Sequence, residues 1–230
     1  MYKIETHLHT TYISHCGWLG AQALMKAYSA AGYAAICVTD HYNRECFDYA
    51  DIDLTAPGSK TDAFLLGFRR LQREAKKYGI LVYEGAELRF DGSDNDYLLY
   101  GFHHELLADP EKTMSGGLAA FVPKYRADGA LLVQAHPFRK NCMPAPAEYL
   151  DGVEVLNCNP RHDSRNDLAL AYAKEHGLLM TAGSDCHRPG DEGTSGILSE
   201  TLPADSFEFA ALLRSGKYTL IERKDDHDEV

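Results

Sequence analysis

The stretch "ETHLHT", residues 5–10, places two histidines one residue apart at the end of a strand-like run, residues 2–6. Side chains two apart on a strand share a face, so His7 and His9 point the same way and form a chelating pair. Their partners must come from elsewhere in the chain. Outward from this pair, short apolar runs recur at residues 34–39, 80–89, 96–102, 130–135, 152–158, 178–183 and 218–222, as strands covered on both faces do. Helical patterns lie between several of them, at residues 21–31, 62–78, 117–127, 165–176 and 205–214, and each stops at or near a glycine suited to the left-handed turn after a helix. Strand, helix, strand in this order implies an α/β fold with parallel pairing through right-handed crossovers. The alternation breaks at "FDGSDND", residues 90–96, which reads as a hairpin or tight loop, and Pro123 interrupts the third helical pattern. Residues 43–60 read as a long loop able to act as a lid or to carry substrate contacts.

The chain has 230 residues, 45% of them hydrophobic, and no internal repeat or linker divides it, so one domain over residues 1–230 is expected, with a tail fraying from about residue 223. Thirty-four acidic against 23 basic residues give a net charge of −11, which disfavours long nucleic acid and anionic membranes as partners. No signal segment and no run of the ~18 apolar residues that would span a bilayer is present, which points to a cytoplasmic protein. The six cysteines form no C-x-x-C pair and read as reduced thiols.

The chemistry-bearing residues gather at strand ends. His41 follows "AAICVTD" with Asp40 beside it, "VYEGAEL" carries Glu84 and Glu87, "YGFHHE" carries His103 and His104, "LLVQAHP" carries His136, and "TAGSDCH" carries Asp185 and His187. His15 lies in the loop after the first strand. A single strand-end histidine is usually a hydrogen-bonded side chain. So many at the rim where parallel α/β folds bind ligands indicate a metal centre instead. Imidazoles and carboxylates without a thiolate motif suit zinc, manganese or iron, and eight or nine donors call for two or three divalent ions bridged by a carboxylate, for which Glu87 is the candidate.

The motifs His7-Leu8-His9, Thr39-Asp40-His41, Gly85-Ala86-Glu87, Ala135-His136-Pro137 and Gly183-Ser184-Asp185-Cys186-His187, in this order, resemble those of the PHP (polymerase and histidinol phosphatase) family over essentially the whole chain. The resemblance implies a distorted, TIM-like (β/α)7 barrel of seven strands, a trinuclear centre at its C-terminal rim, and hydrolysis of phosphate esters. It assigns His7, His9, Glu87 and Asp185 to one ion, with Glu87 bridging to a second ion held by His136 and a fourth-strand histidine. Some members carry that histidine where this chain has Tyr97; here His103 takes the role, with His104 as substitute. His15, His41 and His187 would hold the third ion, while Glu84 reads as structural or supporting and Cys186 as core.

Clustered divalent ions lower the pKa of a bound water toward ~7 and clamp phosphate oxygens, so in-line attack by a metal-bound hydroxide is the expected reaction. Asp40 is a candidate acid or base, with orientation of His41 as its alternative role. Arg139 in "HPFRK" and Arg161 in "NPRHD" are candidate phosphate donors, and Tyr42, Asn43 and Arg44 candidate substrate contacts. The leading reading is a phosphatase of a small phosphorylated substrate such as histidinol phosphate or a nucleotide. Alternatives are a nuclease or phosphodiesterase, a non-catalytic metal-binding module, and an amidohydrolase, whose bridging lysine would stand where this chain has Glu87.

Overall fold

The computed structural model describes residues 1–56 and 58–222, and the tail expected to fray lies outside the described residues. In chain order the elements are β1 (Tyr2–Leu8), α1 (Ala21–Ala30), β2 (Tyr33–Val38), β3 (His41–Tyr42), α2 (Arg44–Tyr49), α3 (Thr61–Phe64), α4 (Leu66–Ala75), β4 (Leu81–Arg89), β5 (Asp96–Tyr100), α5 (Pro110–Asp128), β6 (Leu131–Gln134), β7 (Gly152–Asn157), α6 (Asn166–His176), β8 (Leu179–Gly183), β9 (Ser195–Ser199), α7 (Ser206–Ser215) and β10 (Thr219–Glu222). Among the described residues the sheet has ten strands rather than the seven expected, in the order β10-β9-β1-β2-β4-β5-β6-β7-β8 with β3 beside β4. The strands not read from the sequence are the two-residue β3 and β9, which pairs antiparallel with the first half of β1 and with β10, the run expected at residues 218–222.

The second half of β1 turns instead toward β8. A parallel bridge joins Leu8 to Cys186, and His9 N donates to Cys186 O at 3.0 Å, so the sheet nearly closes into a barrel. A buried carboxylate holds this seam. Glu5 Oε1 accepts from the backbone amides of Thr6 (2.9 Å), His7 (3.0 Å) and Ser184 (3.0 Å), and Oε2 accepts from the Tyr28 hydroxyl (2.8 Å). Gly183 permits the approach, because a Cβ there would collide with the His7 side chain.

The "FDGSDND" turn has a larger consequence than a break in alternation. It makes β5 antiparallel to both β4 and β6, with Asp96 opposite Arg89. The start of β5 therefore shares a rim with the ends of the parallel strands, and its end faces the other way. At that opposite end α7 packs across the barrel, with Phe209 stacked on Tyr83 at 4.7 Å and edge-on to Tyr100 at 5.6 Å. Elsewhere, the segment expected as a loop after residue 43 carries α2, capped by Asn43 accepting from Cys46 N. The helix expected from residue 117 begins at Pro110, kinks at Gly117 (φ 73°) and contains Pro123. Among the described residues no helix is long and apolar enough to cross a membrane.

Replacing Glu5 by alanine would strand three buried amides at the seam, each worth ~1–3 kcal/mol when left unpaired. Urea unfolding should show a loss of at least about 3 kcal/mol for Glu5→Ala and less for Glu5→Gln, which retains an acceptor. A loss below about 0.5 kcal/mol for the alanine variant would show that the carboxylate does not hold the seam.

Candidate metal centre

Seven of the nine residues assigned to metal from the sequence meet at one rim. His7, His9, Glu87, His136 and Asp185 are buried there, with His41 and His187 nearer the opening. Glu87 is central: Oε1 lies 3.3 Å from His7 Nε2 and 3.2 Å from His136 Nε2, and Oε2 lies 3.4 Å from His9 Nε2 and 2.7 Å from His41 Nδ1. Asp185 Oδ1 lies 3.4 Å from His7 Nε2, 3.2 Å from His9 Nε2 and 3.3 Å from His187 Nδ1. His136 (φ 28°) and Asp185 (φ 50°) hold left-handed backbone conformations, the kind of strain that concentrates at functional sites.

Three groups have donor atoms all within 4.8 Å of one another: His9 with His41 and His187, His7 with His9 and Asp185, and His41 with Glu87 and Asp96. The donor chemistry fits divalent cations. His136 Nδ1, His41 Nδ1 and Glu87 Oε2 are buried without a hydrogen-bond partner, although the last two lie 2.7 Å apart. Burial favours a neutral acid at Glu87 and Asp185, but the charges of His41 and His7 on the first, and of His7 and His187 on the second, keep both well below the usual carboxylate range. Burial, together with repulsion from His187 and His41, pushes His9 well below its ordinary value and keeps it neutral, as a ligand must be.

Outer contacts orient these groups. Glu154 Oε1 lies 2.8 Å from His7 Nδ1, which leaves Nε2 facing the cluster. Asp40, expected as a catalytic acid or base, serves differently. It is buried, accepts from Thr10 N (2.6 Å), Thr10 Oγ1 (2.7 Å) and Ser14 Oγ (2.9 Å), and does not line the cleft above the centre. Ser14 Oγ in turn lies 3.3 Å from His9 Nδ1 and accepts from His41 N (3.0 Å), so Asp40 positions histidines through Ser14.

That cleft measures about 370 Å³ and is walled by Arg139, Arg161, Lys140 and Arg188 above the cluster. Arg139 Nη2 donates to Asp185 Oδ2 at 2.7 Å, and Arg161 forms a two-pronged pair with Asp191 at 2.7 and 2.5 Å. Both arginines therefore stand on the expected rim, each already tethered to a carboxylate. Arg44 is bound to Asp91 and Glu111 and lines a different surface hollow, and the buried Tyr42 hydroxyl donates to Leu107 O, so of the three candidate contacts on that segment only Asn43 lines the cleft. A larger groove of about 660 Å³ beside α7 and β10 contains none of the cluster residues.

Two assigned ligands do not join. His103 is 61% exposed, 3.2 Å from Asp128, and its ring lies against Phe207 of α7; His104 pairs with Glu84 at 3.0 Å. Both follow β5, whose reversed direction delivers them to the α7 end. The residue that β5 does bring to the centre is Asp96, buried, 3.9 Å from His136 Nε2 and clamped by Arg89. The hairpin signal at residues 90–96 pointed to it, since reversing a strand exchanges which end meets the rim. His15 stays at the exposed mouth of the cleft, its Nε2 3.2 Å from Glu45 rather than in the cluster. The adjacent Cys16 also lines the cleft: burial raises its thiol, but hydrogen bonds with His187 and His41 outweigh this and bring it down to about 6.

The model of the PHP domain family matches residues 5–193. The chain belongs to the PHP domain family. No curated protein matches the sequence significantly. Among solved structures, a two-domain protein from Bacteroides vulgatus ATCC 8482, containing a predicted PHP-like metal-dependent phosphoesterase, superposes with a TM-score of 0.69 at 15% identity over 96% of this chain, which spans 65% of that protein. PsfC from Pseudomonas syringae PB-5123 gives 0.67 at 16% identity, covering 96% of this chain and 91% of PsfC. An amidohydrolase from Chromobacterium violaceum, solved with bound sulfate and no metal, gives 0.57 at 16% identity, covering 98% of this chain and all (100%) of that one. At such identities these likenesses show the fold, a PHP-type barrel.

Asp96→Ala should weaken retention of one divalent ion at least about tenfold, whereas His103→Ala should leave metal content unchanged. Elemental analysis after dialysis measures both, and the reverse pattern would return the fourth-strand role to His103.

Proposed function

We propose that this PHP-family chain, taken as one domain, is a cytoplasmic metal-dependent phosphoesterase that hydrolyses a small phosphomonoester, using two or three zinc, manganese or iron ions. The observation that carries the reading is the buried Glu87, shared by four histidine nitrogens at the floor of a cleft walled by basic residues in a chain of net charge −11. His7, His9 and Asp185 would hold one ion, Glu87, His136 and Asp96 a second, and His41 and His187 a third. When bound, such ions supply Lewis acidity, lowering the pKa of a water toward ~7 and neutralising phosphate oxygens.

The chain's own residues do the rest. Arg139 is pinned by Asp185 and Asn157, yet its Nε is buried without a partner and remains a donor for a phosphate oxygen. Arg161 adds a second guanidinium, fixed by Asp191. Glu154 and the Asp40–Ser14 relay hold the His7 and His9 rings so that their Nε2 atoms face the cluster. A cleft of about 370 Å³ suits a small ester better than a polymer, and the acidic surface disfavours long nucleic acid as well. The amidohydrolase alternative wants a bridging lysine, and the centre holds a carboxylate at that place.

Hydrolysis of a generic aryl phosphate should appear with manganese, zinc or iron, vanish with chelator and return on readdition of metal. His9→Ala and Asp185→Ala should each lower kcat/KM by roughly a thousandfold, the several kcal/mol of transition-state stabilisation that such a centre provides, while circular dichroism stays unchanged. Turnover by the metal-free protein, or near-normal turnover by either variant, would end the proposal.

A further inference from the structure

The stretch "NCN", residues 157–159, closes β7 with two asparagines that both turn toward Asp185. Asn159 Nδ2 donates to Asp185 O at 2.9 Å and holds its backbone, whereas Asn157 engages side chains. Asn157 is 3% exposed, and both edges of its amide are taken. Oδ1 accepts from Arg139 Nη2 (2.9 Å), Ser164 Oγ (3.3 Å) and Asn159 N (3.2 Å), while Nδ2 donates to Glu154 Oε2 (2.9 Å) and Asp185 Oδ2 (3.2 Å). The partners fix which edge is which, since a guanidinium only donates and a carboxylate only accepts. An aspartate of the same shape would set a third carboxylate against Glu154 and Asp185, and a leucine would satisfy none of these partners.

The amide thereby divides two functional groups into a held edge and a free one. Asp185 Oδ2 accepts from both Arg139 (2.7 Å) and Asn157, which leaves Oδ1 to face nitrogens of His7 (3.4 Å), His9 (3.2 Å) and His187 (3.3 Å). Arg139 Nη2 is taken up by Asp185, Asn157 and Ser164, and its buried Nε is left without a partner on the cleft wall. Through Glu154 the same amide reaches His7, whose Nδ1 lies 2.8 Å from Glu154 Oε1. We propose that Asn157 is a positioning residue that aims Asp185 Oδ1 at the metal site and Arg139 Nε at the phosphate, joining the two halves of the centre through one neutral side chain. The inference rests on the metal-dependent phosphoesterase reading given above. Toward phosphate Asn157 acts only through Arg139, a relation that a double-mutant cycle isolates.

Calorimetry of inorganic phosphate binding at saturating manganese reads the Arg139 arm, and elemental analysis after dialysis reads the Asp185 arm. Asn157→Ser should weaken phosphate binding at least about tenfold on its own and less than about twofold in an Arg139→Ala background. It should lower metal retention at least about tenfold. A loss of phosphate affinity as large in Arg139→Ala as in the wild-type background, or unaltered phosphate affinity or metal retention in Asn157→Ser, overturns the positioning role alone. Should Asn157→Ser fold poorly, NMR of the zinc-loaded wild-type protein keeps the test open. The Asn157 side-chain amide protons should exchange with solvent at least about tenfold more slowly than those of the exposed Asn141, and the Arg139 Nε proton should shift when phosphate is added. Equal exchange at the two asparagines, or an Arg139 Nε proton indifferent to phosphate, likewise overturns the role. Failure of the metal-loaded wild-type protein to bind phosphate at all overturns the phosphoesterase reading along with it.

Discussion

A carboxylate buried among imidazoles at the barrel rim sets the conditions for everything around it. Removing an ionised carboxylate from water costs several kcal/mol even after relaxation, and Glu87, Asp96 and Asp185 are all at least 98% buried. His7 Nδ1 faces a Glu154 oxygen and so carries a proton on that side; burial opposes a second proton, but the charges of Glu154, Asp185 and Glu87 outweigh it and raise the ring well above its ordinary value. Ser14 gives its hydroxyl proton to Asp40, so His9 Nδ1 must donate to Ser14, and the Nε2 of the neutral His9 is a lone pair. The Nε2 atoms of His7 and His9 lie 3.1 Å apart and face oxygens of Glu87 and Asp185. Two carboxylates and several imidazoles crowd one point, and the positive charge that the carboxylates favour on His7 and His41 sits where bound cations would place theirs.

Because such a cluster repels itself when empty of positive charge, the scaffold behind it has to be stiff. Three further buried carboxylates provide the stiffness without facing the cleft. Glu5 ties the β1–β8 seam, Glu154 fixes His7 while accepting from His136 N at 3.2 Å and Asn157 Nδ2 at 2.9 Å, and Asp40 fixes the turn that carries Ser14. Each accepts several protein donors, which is what lets a charged group sit in the interior. The left-handed backbones at His136 and Asp185 are stable only within such a frame.

Much of this was legible before any coordinates, and the reason is periodicity. On a strand, alternate residues share a face, and parallel strands deliver their ends to one rim, so His7, His9, Glu87, His136, Asp185 and His187, with His41 just after β2, could be gathered from sequence alone. The reading failed where neither rule applies. His103 was assigned as though β5 ran with the strands beside it, and its reversal takes His103 to the α7 end and brings Asp96 beside His136 instead. His15 lies in a turn, where no period tells which way a residue points, and the turn leaves it at the cleft mouth beside Glu45. β3 has two residues, below the length at which a strand announces itself, and β9, "SGILS", carries a glycine and two serines where an apolar run would have marked it. Asp40 carried the right motif, but its burial behind the histidines is a tertiary fact.

The acidic charge of the chain and the basic wall of the cleft are reconciled by pairing. Arg89, Arg139 and Arg161 each bind a carboxylate, Asp96, Asp185 and Asp191. Such pairs contribute shape and directed donors to the cleft but little net positive potential. Among the described residues Lys140 and Arg188 line it without a carboxylate within 4.0 Å, and Arg188 lies over the Trp18 ring at 4.3 Å. Two exposed cations, screened by water and salt, are a weak attraction against a surface of net charge −11. On the proposed reading, attraction for a phosphate dianion would have to come chiefly from cations held at the floor, with the tethered arginines deciding how the bound group is oriented. On this account binding and reaction share one source of charge, and a centre lacking its ions would lose its affinity for phosphate together with its chemistry.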